Sequence, residues 1–303
     1  AWPPQRAGLF AKVPTPVAHI DCAIPVFHGW HGEDGTIQGL FEMANIPYAS
    51  TGVLGSAIGM DKIAMKLLLR GAGYPVLDFV WFTREQIKKD RKAVVERVEK
   101  EIKYPAFIKP AALGSSIGVS RAKNRDELER ALEVAASYDR RVLVEVGVVH
   151  PVEINCAAVG YGEDVRASVC EMPVPSSNDT FLDFWQKYLR NASTKGEDSR
   201  GMKSLSRVVP APIGDELTGR IQTMTCDIFK LLDCCGTVRV DFILDQNDML
   251  FVNEPNTIPG SLAFYLWKAS GLDFPKLIEK MVEEALRAHA DKNSSVFAYD
   301  SSI

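Results

Sequence analysis

The segment that most restricts how this 303-residue chain can fold is Val238-Arg239-Val240-Asp241-Phe242-Ile243-Leu244, followed after Asp245-Gln246-Asn247-Asp248 by Met249 to Asn256. Alternation puts Val238, Val240, Phe242 and Leu244 on one face of a strand and Arg239, Asp241 and Ile243 on the other. If 245–248 form a four-residue hairpin loop, Leu244 faces Met249 and Asp241 faces Val252. Arg239, Asp241, Glu254 and Asn256 then gather on one face at one end of an antiparallel ribbon. A loop one residue longer or shorter breaks that alignment, because a one-residue slip turns every side chain over. Two carboxylates, an amide and a guanidinium in one place are costly to bury without partners. A salt-bridge cluster around Arg239 would satisfy much of the charge. The acceptors outnumber what one arginine needs, however, and hard oxygen donors suit Mg²⁺ bound together with phosphates.

A second segment supplies what such a cation would accompany. Pro105 to Pro110 reads as a strand that delivers Lys109 to its end, and Ala111-Ala112-Leu113-Gly114-Ser115-Ser116-Ile117-Gly118-Val119 follows as a loop. Backbone N–H groups of such a loop can cradle phosphate oxygens, with serine hydroxyls as further donors and Lys109 as a point charge. The pattern is not a Walker A loop, and taken alone it is equally an ordinary hairpin turn. The acidic ribbon downstream gives it meaning: one segment holds phosphates, the other their cations.

The remaining pattern is a multi-domain α/β or α+β chain. A buried strand is expected at 23–27, helices at 36–44 and 62–70 (the latter capped by Asp61), and strands at 142–145, 152–159 and 165–171. Asn124-x-x-Glu127 resembles a capping box ahead of Leu128, Ala131, Leu132 and Ala135. A long polar loop spans 176–206, and a helix covers about 215–232. A last helix, capped by Asp273, carries Leu277, Ile278, Met281, Val282, Ala285 and Leu286 on one face. Net charge is −4 with scattered basic residues, which is no nucleic-acid footprint. No apolar run is long enough to cross a bilayer. The six cysteines have neither C-x-x-C nor zinc spacing and read as free, mostly buried thiols of a reducing cytosol.

The ordered motifs His28-Gly29-x-x-Gly32-Glu33-Asp34-Gly35, Met60-Asp61-Lys62, Lys109-Pro110-x-x-x-Gly114-Ser115-Ser116-x-Gly118, Lys187-Tyr188, Arg239-Val240-Asp241-Phe242 and Asn253-Glu254-x-Asn256-Thr257-x-Pro259-Gly260 resemble those of the bacterial D-alanine–D-alanine ligases, from about Ile20 to Leu286. The resemblance implies an ATP-grasp fold: a remnant N-terminal α/β domain at 1–55, a central domain at 56–146 and a C-terminal domain at 147–303. It implies a cytoplasmic enzyme, a homodimer, that uses ATP and two Mg²⁺ ions (or Mn²⁺) to join two D-alanines through an acyl phosphate for peptidoglycan synthesis. Lys62, Lys109, Ser116 and Lys187 would hold phosphates, and Glu145, Val148 and Glu153 the adenosine end. Asp241, Glu254 and Asn256 would bind the metal. Arg239 would stabilise the acyl phosphate, and Ser115 and Tyr188 would share a hydrogen-bonded set beside it. His28 would stand on the substrate side, with Glu33 and Asp34 structural. Gly260, Ser261 and Leu262 would lie beside the second substrate's carboxylate.

Family members open on a glycine-rich strand-turn-helix carrying a substrate-binding glutamate, and nothing ahead of Ala23 matches it. With a start at Ala1 and Pro3, Pro4, Pro14 and Pro16 close by, the chain reads as one entered partway through. The loop after Gly260 is also shorter than the family's. The competing readings are a ligase with D-serine or D-lactate as acceptor, and a nucleotide-binding fragment impaired in catalysis.

Overall fold

The computed structural model describes residues 4–7, 11–14, 18–174 and 207–296. Two antiparallel sheets dominate it. One has four strands, in the order β3 (Phe79–Thr83), β6 (Arg141–Val146), β4 (Ala106–Pro110), β5 (Ser120–Ala122). The other has five, in the order β11 (Leu250–Asn256), β10 (Cys235–Leu244), β7 (Val152–Tyr161), β8 (Asp164–Pro173), β9 (Arg207–Val208). A separate ribbon pairs β1 (Pro4–Ala7) with β2 (Ala11–Pro14).

In the four-stranded sheet the period-2 pattern sends Ala106, Ile108, Val142 and Val144 to one face. There they pack with Leu128, Leu132 and Ala135 of α6 (Arg125–Tyr138) and with α4 (Arg84–Lys89) and α5 (Arg91–Glu101). Asn124 caps α6, its side chain accepting from the Glu127 N–H. The opposite face carries Phe107, Lys109, Leu143 and Glu145, with Phe107 and Phe79 flanking Glu145 in register.

The five-stranded sheet is covered on one face by α7 (Asp215–Leu231), whose Ile221, Ile228 and Phe229 pack on Val238, Val240 and Phe242. On its other face, Ala157 and Val159 meet Trp267 of α8 (Phe264–Ala269) and Leu277 and Met281 of α9 (Phe274–Asn293). That cover reaches only part of the sheet. Three further α-helices lie among the described residues: α1 (Thr36–Met43), α2 (Val53–Met60) and α3 (Lys62–Gly71). Asp61 caps α3 by accepting from the N–H groups of Ile63 and Ala64.

Several expectations are corrected. The strand at 23–27 is a single bridge, Ala23 to Tyr48, and Val26 and Phe27 are exposed. Apolar composition does not make a strand where, among the described residues, one backbone bridge is the only pairing. Leu286 is exposed, outside the buried stripe of α9. The ribbon's register also differs, since Leu244 pairs with Leu250 and Phe242 with Val252, so the loop has one residue more than expected. A register shift between Asp241 and Phe242 then inserts Asn253, so that Asp241 faces Glu254 and Arg239 faces Asn256. Each change alone would invert the side chains; together they restore the shared face.

Candidate active site

A cleft lies between the uncovered faces of the two sheets. Its lining includes Lys62, Lys109, Ser115, Ser116, Glu145, Val148, Glu153 and Glu254, together with Asn253 at the ribbon's bulge. The loop and the ribbon, 135 residues apart between Val119 and Glu254, therefore border one space.

Lys62 joins them physically. Asp61 starts α3 beside the loop, and Lys62 Nζ donates to the Leu113 carbonyl at 2.7 Å while lying 3.3 Å from Glu254 Oε2. The cap itself is pinned by an ion pair between Asp61 and Arg141. Lys62, above all, holds the Glu254 carboxyl below its ordinary value against the effect of burial, with Lys109 and Arg239 helping.

Beneath the cleft lies a charged triad. Glu145 is 1% exposed; one oxygen is 2.9 Å from Lys66 Nζ and the other pairs with Lys109. Burial opposes ionisation of Glu145, but the two lysines outweigh it and bring its pKa down to about 2. Burial pulls Lys66 below the usual lysine value in spite of Glu145, whereas Lys109 is held above it by the same carboxylate. Lys66 was not singled out from the sequence. Its signal is a lysine at i+4 from Lys62, with Arg70 a further four residues on, which places these cations on one side of α3.

Along the ribbon, Arg239 Nε and Nη2 donate to the two oxygens of Asp241 at 2.6 and 2.8 Å, and Asn256 Nδ2 donates to Asp241 Oδ2 at 3.0 Å. Burial raises the Asp241 pKa; Arg239 counters this, and Glu254 and Glu171 push it up again. Among the described residues no group of three or more His, Cys, Asp or Glu side chains is arranged to hold a metal ion. Two carboxylates and an amide whose carbonyl oxygen points away from Asp241 do not form a cage. They fit a cation that takes its remaining oxygens from phosphates and water.

Ser115 and Ser116 adopt left-handed φ of 53° and 58°, and Ser261, Leu262 and Ala263 form a left-handed turn at 52°, 53° and 52°. Such conformations cost non-glycine residues about 1–3 kcal/mol each and collect at ligand sites. The turn is anchored by the burial of Leu262 and Ala263 and by the bond from Trp267 Nε1 to Thr237 Oγ1 at 3.1 Å. Gly260 precedes it and Ser261 is exposed. His28 lies outside the cleft lining, half-exposed and 3.6 Å from Glu33. Its turn touches the glycine loop through Trp30 Nε1, which donates to the Ala112 carbonyl at 2.9 Å. Glu33 accepts from Gly29 N–H and Asp34 from His31 and Thr36 N–H, a structural use of both. Lys187 and Tyr188 lie outside the described residues. The six cysteines are free thiols, four of them buried.

The sequence compares directly with known proteins. The family profile "D-ala D-ala ligase C-terminus" matches residues 68–283, and "D-ala D-ala ligase N-terminus" matches 5–51. The second match begins at residue 5 and so corrects the expectation that nothing ahead of Ala23 matches the family. A D-alanine–D-alanine ligase of Acetivibrio thermocellus is 42% identical over 277 residues, covering 90% of this chain and 69% of that protein. The solved structure of the D-alanine-D-alanine ligase from Coxiella burnetii superposes with a TM-score of 0.75 at 30% identity, over 90% of this chain and 70% of that one. The D-Ala:D-Ser ligase VanG from Enterococcus faecalis also superposes at 0.75, with 32% identity over 89% and 74%. With both profiles matched and relatives this similar over most of its length, the chain belongs to the D-alanine–D-alanine ligase family.

Proposed function

We propose that this protein joins two D-alanine molecules at the expense of ATP. A carboxylate is a poor acyl donor because oxide is a poor leaving group. Transfer of the γ-phosphoryl group to the first D-alanine supplies a better one, and the amine of the second displaces phosphate from the acyl phosphate. Little covalent work is left to the protein beyond positioning and charge neutralisation. The observation that carries this reading is the contact of Lys62 with both the glycine loop and Glu254, across a cleft that Lys109 also lines.

Lys62, Lys109 and Ser116 take the phosphates, and Lys187 joins them as the family resemblance implies. Val148 and Glu153 line the adenosine end with Glu145, whose oxygens already face Lys66 and Lys109. Asp241, Glu254 and Asn256 would hold two Mg²⁺ ions, or Mn²⁺ in their place, and the cations would supply charge to offset that on the phosphoryl oxygens. Arg239 keeps its Nε–Nη2 edge on Asp241 and offers its charge to the oxyanion formed when the acyl phosphate is attacked. Ser115 and Tyr188 orient the reacting groups. Gly260, Ser261 and Leu262 receive the second carboxylate, with His28 on the substrate side. ATP thus sits between a central unit at 56–146 and a C-terminal unit at 147–303, with residues 1–55 toward the substrates. The enzyme works as a cytoplasmic homodimer that feeds peptidoglycan synthesis. Among the described residues no helix is long and apolar enough to cross a membrane.

Phosphate release from Mg-ATP, measured with D-alanine, D-serine, D-lactate and L-amino acids, tests the assignment. D-alanine alone should support turnover. No D-alanine-dependent release would refute the reading, and faster release on adding D-serine would move it to the acceptor of VanG. Lys109→Ala should raise the Kd for ATP by about 10- to 100-fold, the worth of one hydrogen bond to a charged group. An unchanged Kd by calorimetry would remove Lys109 from the phosphate site.

A further inference from the structure

The polar row that starts at Glu254 does not end at Asp241. In register across four strands stand Glu254 (β11), Asp241 (β10), Asn155 (β7) and Glu171 (β8). Residues directly opposed in an antiparallel sheet share a face. The last two have no part in the chemistry above, yet they are only 7% and 2% exposed. Glu171 Oε1 accepts from Asn155 Nδ2 at 2.9 Å and from the Tyr265 hydroxyl at 2.7 Å, and Arg207 donates to Oε2 at 3.4 Å. Arg207 also lies over the Tyr265 ring, 4.1 Å from its centroid. A carboxylate this deep persists only where it is paired. Here its partners come from β7, β9 and α8.

Two consequences reach the reacting end of the site. Tyr265 follows the left-handed turn at 261–263 by two residues, so its bond to Glu171 ties the exit of that turn to the sheet. Asn155 gives its N–H to Glu171, which fixes which way its amide faces beside Asp241. We propose that Glu171 is a positioning residue for the ligation step: through Tyr265 and Asn155 it sets the second-substrate turn and the Arg239–Asp241 pair relative to one another. A small displacement between reacting groups is enough to slow a reaction strongly.

This inference rests on the proposed ligase reading. Its test is a kinetic cycle in the full chain with Mg-ATP and D-alanine. Glu171→Gln keeps the size but leaves one acceptor oxygen for three donors. It should lower kcat about 10- to 100-fold, the range for groups that orient a reacting shell, with the KM for ATP within about twofold. Tyr265→Phe should cost less, with an unchanged melting temperature. The double variant should be no slower than Glu171→Gln alone, because residues that act as a unit are not additive. Wild-type kcat in either single variant, an effect confined to KM, or losses that multiply in the double variant would each overturn the proposal. Should Glu171→Gln fail to fold, Tyr265→Phe and Asn155→Ala form the same cycle with the same deciding outcomes. A wild-type protein without D-alanine-dependent phosphate release would overturn the ligase reading and this inference with it. An active wild type beside an undiminished Glu171→Gln overturns the inference alone.

Discussion

Glu254→Gln should lower kcat by about 10³-fold, some 4 kcal/mol of lost transition-state stabilisation, while the protein stays folded. The side chain keeps its shape and loses its charge. Lys62, the nearest cation, retains its bond to the Leu113 carbonyl at 2.7 Å, so the substitution leaves no lysine stranded. Glu254 is one-third exposed, and its pair with Lys62 at 3.3 Å is open enough that its loss should cost less than about 1 kcal/mol of stability. Catalysis has no such substitute. In the row Glu254–Asp241, both Asp241 oxygens already accept from Arg239, and one also accepts from Asn256. Glu254 is therefore the carboxylate with the most capacity for a cation. Calorimetric titration with ATP at several Mg²⁺ concentrations, alongside phosphate release, separates the two effects. Turnover near the wild-type rate, or a melting temperature lowered by more than about 5 °C, would argue against the metal role.

The elements were legible wherever one face is apolar and the period is clean. Val238, Val240, Phe242 and Leu244 are buried as the alternation requires, and so are Leu128, Ala131, Leu132 and Ala135 of α6. The caps Asp61, Asn124 and Asp273 each accept from a backbone N–H near the start of their helix. Register was not legible. Nothing in Asp245 to Met249 announces a fifth loop residue, and nothing in Val252-Asn253-Glu254 announces a bulge. Both are settled by packing across the ribbon, and the predicted face survived because the two shifts cancel. The site divides in the same way. Residues on the loop and ribbon could be found because short polar motifs interrupt strands. Lys66, Asn155, Glu171 and Tyr265 were missed because none of them stands in a short polar motif that interrupts a strand. Only the tertiary fold brings Lys66 to Glu145, or Tyr265 to Glu171 across 94 residues.

Lys66, Glu145 and Lys109 give the largest expected effect on stability. Glu145→Gln removes the anion between two lysines, one of them 1% exposed, and should destabilise the fold by about 3–5 kcal/mol, as expected when one partner of a buried ion pair is lost. The loss comes mainly from Lys66. Lys109 lines the cleft and can turn toward water, whereas Lys66 has no such route. Adding Lys66→Met to Glu145→Gln should therefore recover much of the stability, since an apolar side chain of similar length fits the site without a charge. Acid titration gives an independent check. The two lysines hold the folded-state pKa of Glu145 at about 2, below its ordinary 4.5. The stabilisation this provides is complete above about pH 4.5, and it drains away as the pH falls toward 2, because the unfolded chain takes up its proton first. A displacement of that size corresponds to about 3 kcal/mol. Urea unfolding at pH 7, 5, 4 and 3 should show the wild type losing stability more steeply than Glu145→Gln below pH 4.5. Parallel curves throughout, or a neutral-pH difference under about 1 kcal/mol, would mean that Glu145 does not hold the floor of the cleft together.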